Sequence, residues 1–156
     1  MKVLKRLGII ALVYVVFVLL FETVFLGMYQ PSFEAAEGCP NAKGQKTLRR
    51  DCGIPMIAIT TTNDKGMTNS RMVARFVTNE KLYVSAHHWT RGWHKAALKN
   101  PNVQGEIQGN IKDYIAVPIE GEEFNQVAAE HPLPLGVKFM MGFPPPRQIL
   151  RLDPLE

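Results

Sequence analysis

Acidic side chains are missing from the whole stretch between Glu80 and Glu106, which carries three of the chain's four histidines. A mixed histidine–carboxylate metal centre would therefore have to draw its acid from far away. His87 and His88 are adjacent, so on a strand they project to opposite sides, and His94 lies beyond a turn. No metal site is expected. Haem ligation by one of these histidines stays open, as does ordinary hydrogen bonding at a surface or pocket edge. Cysteine is nearly absent. Cys39 and Cys52 are the only two, a natural disulfide in an oxidising compartment and otherwise two unrelated thiols. There is no G-x-S-x-G elbow and no G-x-x-x-x-G-K-[ST] loop, which leaves hydrolase and NTPase chemistry without support. Positive charge is scattered over Lys2 to Arg6, Lys43 to Arg50, Arg71 to Arg75 and Arg91 to Lys99 instead of forming a block. With a net charge of +4, nothing calls for a nucleic-acid partner.

What is present is a folding composition that begins with a long apolar run. The chain has 156 residues, 46% hydrophobic and 21% charged, which suits one modest domain. Residues 1–6 are basic, and the run extends from Leu7 to Tyr29. As a helix it rises about 34 Å, enough to cross a bilayer core. A cleaved signal has an apolar region of only about 7–15 residues and then a small-x-small site. Here the run is longer, and Phe33 and Glu34 spoil cleavage after Ala35 or Ala36. The expectation is an uncleaved single-pass anchor in the inner membrane. Glu22, the one carboxylate in the run, would lie near the distal interface or against another protein. Lys2, Lys5 and Arg6 favour an N-terminus inside, which puts the domain in the periplasm.

Residues 30–53 are polar, hold Pro31, Gly38, Pro40, Gly44 and Gly53, and read as a linker. Residues 54–156 read as one domain. A β-branched run from Pro55 to Thr62 is a strand. "NDKG" is a turn, and "SRMVARFVTN" alternates, with Met72, Ala74 and Phe76 on one face. "TNEK" turns again into "LYVSA". "GWHKAALK" is a short helix whose face carries Trp93, Ala96 and Ala97, and Pro101 ends it. Two more strands follow, turning at Gly109-Asn110, and then a second helix with Glu122 and Glu123 in its first turn. "PLPLGVKFMMGFPPP" reads as irregular and apolar, and "RQILRLDP" as a last strand. Strands joined by tight turns are antiparallel. The fold class is mainly β: a barrel with two short helices behind one transmembrane helix.

The order of these features resembles one family. A strand ending "TTT", a turn with Lys65, a strand with Arg71, a strand ending "VSA", a tryptophan-bearing helix closed by "NPNV" and a terminal "RLDP" follow one another. From Ile54 to Pro154 the chain resembles the deazaflavin- or flavin-dependent nitroreductases (quinone reductases) of the FMN-binding split β-barrel superfamily. The resemblance implies a deazaflavin or FMN cofactor. Its phosphate-bearing tail would lie at Asn63–Met67 and Arg71, with Lys65 and Arg71 as the cations. Its ring would lie at Ser85 and Ala86, beside Trp93. His87 or His88 would be the proton donor, and a homodimer or a larger membrane complex would be the assembly. The family helix reads W-x-x-N, and here Ala96 stands at the asparagine position. Asp64 adds a negative charge beside the phosphate site. Two functions follow: a membrane-anchored oxidoreductase acting on a quinone-like or nitroaromatic acceptor, or a non-catalytic split-barrel accessory subunit of a larger membrane protein complex.

Overall fold

A computed structural model of the chain describes residues 2–25, 55–87, 92–140, 142 and 147–155. The linker, Cys39, Cys52 and His88 lie outside these residues. The described elements are α1 (Lys2–Leu20), β1 (Met56–Thr62), β2 (Thr68–Thr78), β3 (Lys81–Ala86), α2 (Gly92–Lys99), β4 (Asn102–Ile107), β5 (Asn110–Pro118), α3 (Gly121–Glu130), α4 (Leu135–Met140) and β6 (Gln148–Pro154). They form two units. One holds residues 2–25, 87, 133–140 and 142; the other holds 55–86, 92–132 and 147–155.

The second unit is a closed antiparallel barrel with strand order β1-β2-β3-β6-β5-β4, β4 pairing back onto β1. Short-range signals build most of it. Two-residue loops at Asn79-Glu80 and Gln108-Gly109 have positive φ throughout (49°, 65°, 50° and 82°), the turn geometry whose twist matches a hairpin. The second loop sits one residue earlier than expected, because Asn110 already pairs with Ile107. Closure depends on β6, which inserts between β3 and β5 through Val84–Leu150 and Ala116–Leu152 pairs. Closure leaves no sheet edge to protect.

The strands' alternation makes two cores. Ile57, Ile59, Val73, Val84, Val103, Tyr114, Ala116, Leu150 and Leu152 fill the inside together with Trp93 and Ala97 of α2. Tyr83, Ile119 and Ile149 face outward and are covered by Val127 and Phe124 of α3. The interior is full at Gly105, where a Cβ would stand 2.8 Å from both Ile57 Cδ1 and Tyr114 Cε2.

The first unit begins with α1, which starts at Lys2 instead of at Leu7. Lysine and arginine are good helix formers, and the basic residues simply continue the helix. Phe21–Phe25 extend it as a π-helical turn. Val3–Val24 is long and apolar enough to cross a membrane. The stretch expected to be irregular contains a helix, α4. Pro134 precedes it, a place where the missing N–H costs nothing, and its carbonyl accepts from Lys138 N at 3.1 Å. The barrel chain thus carries a third helix after the two expected ones.

Candidate functional site

The β1–β2 turn is locked by one side chain. Asn63 Oδ1 accepts from Lys65 N at 2.9 Å and from Met67 N at 3.0 Å. The Asn63 backbone accepts from Gly66 N and donates to Met67 O, both at 2.9 Å. Gly66 takes φ 74°, a conformation that favours glycine. The amides of Lys65, Gly66 and Met67 are therefore already satisfied, and a phosphate here would be held by side chains.

Those side chains are available. Lys65 is exposed, and Arg71 is half-buried on β2 opposite Ile59. Neither has an ion-pair partner among the described residues. Asp64, the acid that would oppose a phosphate, is bridged by Lys99 Nζ. An exposed pair like this contributes little stability, but it neutralises the carboxylate. It also ties the end of α2 to the turn, so the tryptophan-bearing helix and the cationic turn share one end of the barrel.

Ala86 and Trp93 lie together in the inner core, Trp93 at 7% exposure. Ser85, one residue earlier, is buried on the other face of β3 opposite Ile149. The five expected binding residues are therefore divided. Lys65, Arg71, Ala86 and Trp93 gather toward one end of the barrel, and Ser85 lies on the opposite face of β3. His87 follows Ala86 directly and clusters in the unit of α1; His88 is outside the described residues. His94 is buried, its ring edge-on to Trp93 at 5.8 Å, where a surface or pocket-edge histidine was expected. Ala96 is half-buried on α2. Among the described residues no group of three His, Cys, Asp or Glu could hold a metal ion.

The outer face presents the opposite arrangement. Arg151 Nη1 donates to both oxygens of Glu123 at 2.9 and 3.0 Å, and Nε and Nη2 donate to Asp153 at 2.7 and 2.9 Å. Tyr83 donates its hydroxyl to Glu123 at 2.9 Å. The hydrogen bonds from Arg151 hold Glu123 and Asp153 below the usual carboxylate range, while burial pushes Tyr83 up to about 12. At the far end of α3, the Thr78 hydroxyl donates to Glu130 at 2.9 Å and lies 3.1 Å from His131 Nε2. Arg147 donates to the His131 carbonyl and stacks 5.0 Å over Phe76. Burial lowers His131, and lowers Arg147 to about 10. A cavity of about 340 Å³ opens beside Thr78, Lys81, Tyr83, Glu122 and Gln126, and none of the residues expected to bind the cofactor or donate a proton lines it. Its central carboxylate, Glu123, is already engaged by Arg151 and Tyr83. This face is bracing for α3.

Sequence reading missed two of these roles. Asn63 was legible as a turn residue, and the Asn-Asp-Lys-Gly order is the signal for a side chain that closes its own turn. The Lys99–Asp64 bridge joins residues 35 apart and had no local signal.

The sequence matches no protein-family model and no curated protein. Solved structures do match. The Agrobacterium tumefaciens protein Atu2129, of unknown function, aligns at TM-score 0.52 and 10% identity, over 65% of this chain and 48% of its own. A domain-swapped dimer aligns at TM-score 0.51 and 18% identity, over 70% and 88%. The fold is a split barrel. An F420-H2-dependent reductase also matches, at TM-score 0.47 and 19% identity, over 64% and 94%. At such identities the likeness is one of fold.

Proposed function

We propose that this split barrel is a membrane-anchored oxidoreductase that uses a deazaflavin or FMN to reduce a quinone-like or nitroaromatic acceptor. The observation that carries the reading is two cations with no ion pair among the described residues: Lys65 on a turn fastened by Lys99–Asp64 to the helix bearing Trp93, and Arg71 on the strand that follows it. Two cations with their neighbouring acid neutralised suit an anionic tail, and their fit to a phosphate-bearing group is better than that of the turn's occupied amides. When bound, a flavin-type ring supplies two-electron transfer, and the chain supplies binding and orientation. Lys65 and Arg71 hold the tail. Trp93 and Ala86, packed in the inner core at that end of the barrel, would form the apolar floor beneath the ring. His87 is proposed as proton donor on its position after Ala86 and the ordinary range of imidazole, with His88 beside it in the chain. Val3–Val24 keeps the protein at the membrane, where lipid-soluble quinones concentrate.

A second reading, an accessory subunit without a cofactor, is favoured by Ala96 at the asparagine position and by the turn amides being satisfied by Asn63. The absorption spectrum of the detergent-solubilised protein as isolated, followed by titration with FMN and with deazaflavin under tryptophan fluorescence, separates the two. A flavin-type band or saturable quenching supports the oxidoreductase. A featureless spectrum with unchanged fluorescence removes it, and migration with other proteins on a native gel then supports the subunit. A haem band would remove both.

A further inference from the structure

Residues 132–142 read PLPLGVKFMMG, with Lys138 their only charge, and no acid occurs between Glu130 and Asp153. Within this stretch α4 leaves Leu135 82% and Phe139 57% exposed, four residues apart on one side of the helix, with Met140 also at the surface. Apolar side chains are not normally presented this way to water by a short helix.

Inside its own unit, α4 meets α1 half-way along the apolar run. The Tyr14 hydroxyl donates to the Phe139 carbonyl at 2.9 Å, and the two rings lie 4.7 Å apart, tilted by 31°. Depth follows from that contact. If Val3–Val24 crosses a bilayer, Tyr14 lies about 15 Å from either end of the span, so a carbonyl bonded to it is within the hydrocarbon as well. A phenol and a free carbonyl are costly there unless they satisfy each other, and these two do. The same carbonyl also accepts from Gly142 N at 3.4 Å. Lys138 is the one charge of the segment, and a segment with no acid is not repelled by anionic lipid.

We propose that residues 133–140 enter the bilayer beside α1 and set Leu135, Phe139 and Met140 among the acyl chains. The chain then has two membrane contacts, one at its start and one between α3 and β6. The proposal rests on the anchor reading of α1, and its test keeps the two apart.

Full-length Cys39→Ser/Cys52→Ser protein is reconstituted into phosphatidylethanolamine–phosphatidylglycerol liposomes. A nitrobenzoxadiazole label is placed on Leu12→Cys or on Leu135→Cys, both exposed positions. Lipids with a nitroxide on the acyl chain should cause comparable loss of emission at both sites. Loss at 12 without loss at 135 overturns the proposal and leaves the anchor standing. No loss at 12 overturns the anchor and the proposal with it. A label at 135 that is shielded from aqueous iodide yet unquenched by the lipid is covered by protein, which also overturns the proposal. If the cysteine-free background does not fold, wild-type protein is photolabelled from an acyl-chain probe. Modification of the peptide spanning residues 132–147 is the expected result, and an unmodified peptide beside a modified α1 overturns the proposal.

Discussion

The two sides of the barrel treat charge in opposite ways. Under α3, every carboxylate and guanidinium of the Glu123–Arg151–Asp153 group is answered by another, and Tyr83 adds a further donor. At the β1–β2 turn, Asp64 is answered by Lys99, while Lys65 and Arg71 have no ion pair among the described residues. A satisfied charge network fixes one element on another. Cations left over, beside an acid that has been neutralised, are what an anionic ligand requires. On this comparison the α3 face is structural, and the turn is the end proposed to bind.

Substitutions in four places would break or sharpen that contrast. The largest is in the common core. Leu150→Ala, at a fully buried position between β3 and β5, should cost about 2–5 kcal/mol by denaturant titration, because the cavity cannot collapse in a closed barrel. Gly105→Ala, which would press on Ile57 and Tyr114, should cost about 1–3 kcal/mol through overpacking. Both lower stability wherever the function lies, and they set the scale for the others.

Next comes the braced face. Arg151→Met leaves Glu123 with Tyr83 alone and Asp153 to solvent, and should cost about 1 kcal/mol in thermal or chemical unfolding, with cofactor affinity unchanged. The same network sets an acid response. The folded pKa values of Glu123 and Asp153 lie below their ordinary 4.5 and 3.8. Their stabilisation is therefore complete above those values and is lost as pH falls through the depressed ones. Wild-type stability should drop more steeply below pH 4.5 than that of Arg151→Met. Parallel slopes would show that the network is not coupled to folding.

At the turn the pattern reverses. Lys65→Ala or Arg71→Ala should leave unfolding free energy within about 0.5 kcal/mol of wild type. Each should weaken a phosphate-bearing cofactor about tenfold, the equivalent of about 1.4 kcal/mol per lost charge-assisted contact. Smallest is Lys99→Ala. The pair is exposed on both sides, so stability should change by less than about 1 kcal/mol. Affinity should fall slightly, because Asp64 then opposes the phosphate, and Asp64→Asn in the same chain should restore it.

Much of the barrel was legible because its signals are local. The β-branched run at Ile57–Thr61, the alternation of β2 and the two-residue turns each specify a hairpin without reference to the rest. The closing strand was visible as a strand, but its insertion between β3 and β5 was not, since pairing this far along the chain, as between Leu82 and Leu152 or Tyr114 and Pro154, leaves no periodic mark. The helix α4 was hidden because six residues between prolines are too few to show a helical period. At the candidate site, Lys65 and Arg71 are where the sequence put them, on a turn and on the strand after it. The division of Ser85 from Ala86 follows from strand alternation and was readable in principle. The relief of Asp64 by Lys99 was not readable, because only the folded chain brings α2 to the turn.

The central claim is that Lys65 on the β1–β2 turn and Arg71 on β2, with no ion pair among the described residues, bind the anionic tail of a flavin-type cofactor. Isothermal titration of FMN and of deazaflavin into detergent-solubilised wild type and Lys65→Ala/Arg71→Ala, each melted in parallel, tests it most directly. Saturable binding by wild type, an affinity lower by about a hundredfold in the double variant and an unchanged melting temperature are the expected result. Equal affinity in the two proteins, or no binding of either cofactor to wild type, would contradict it.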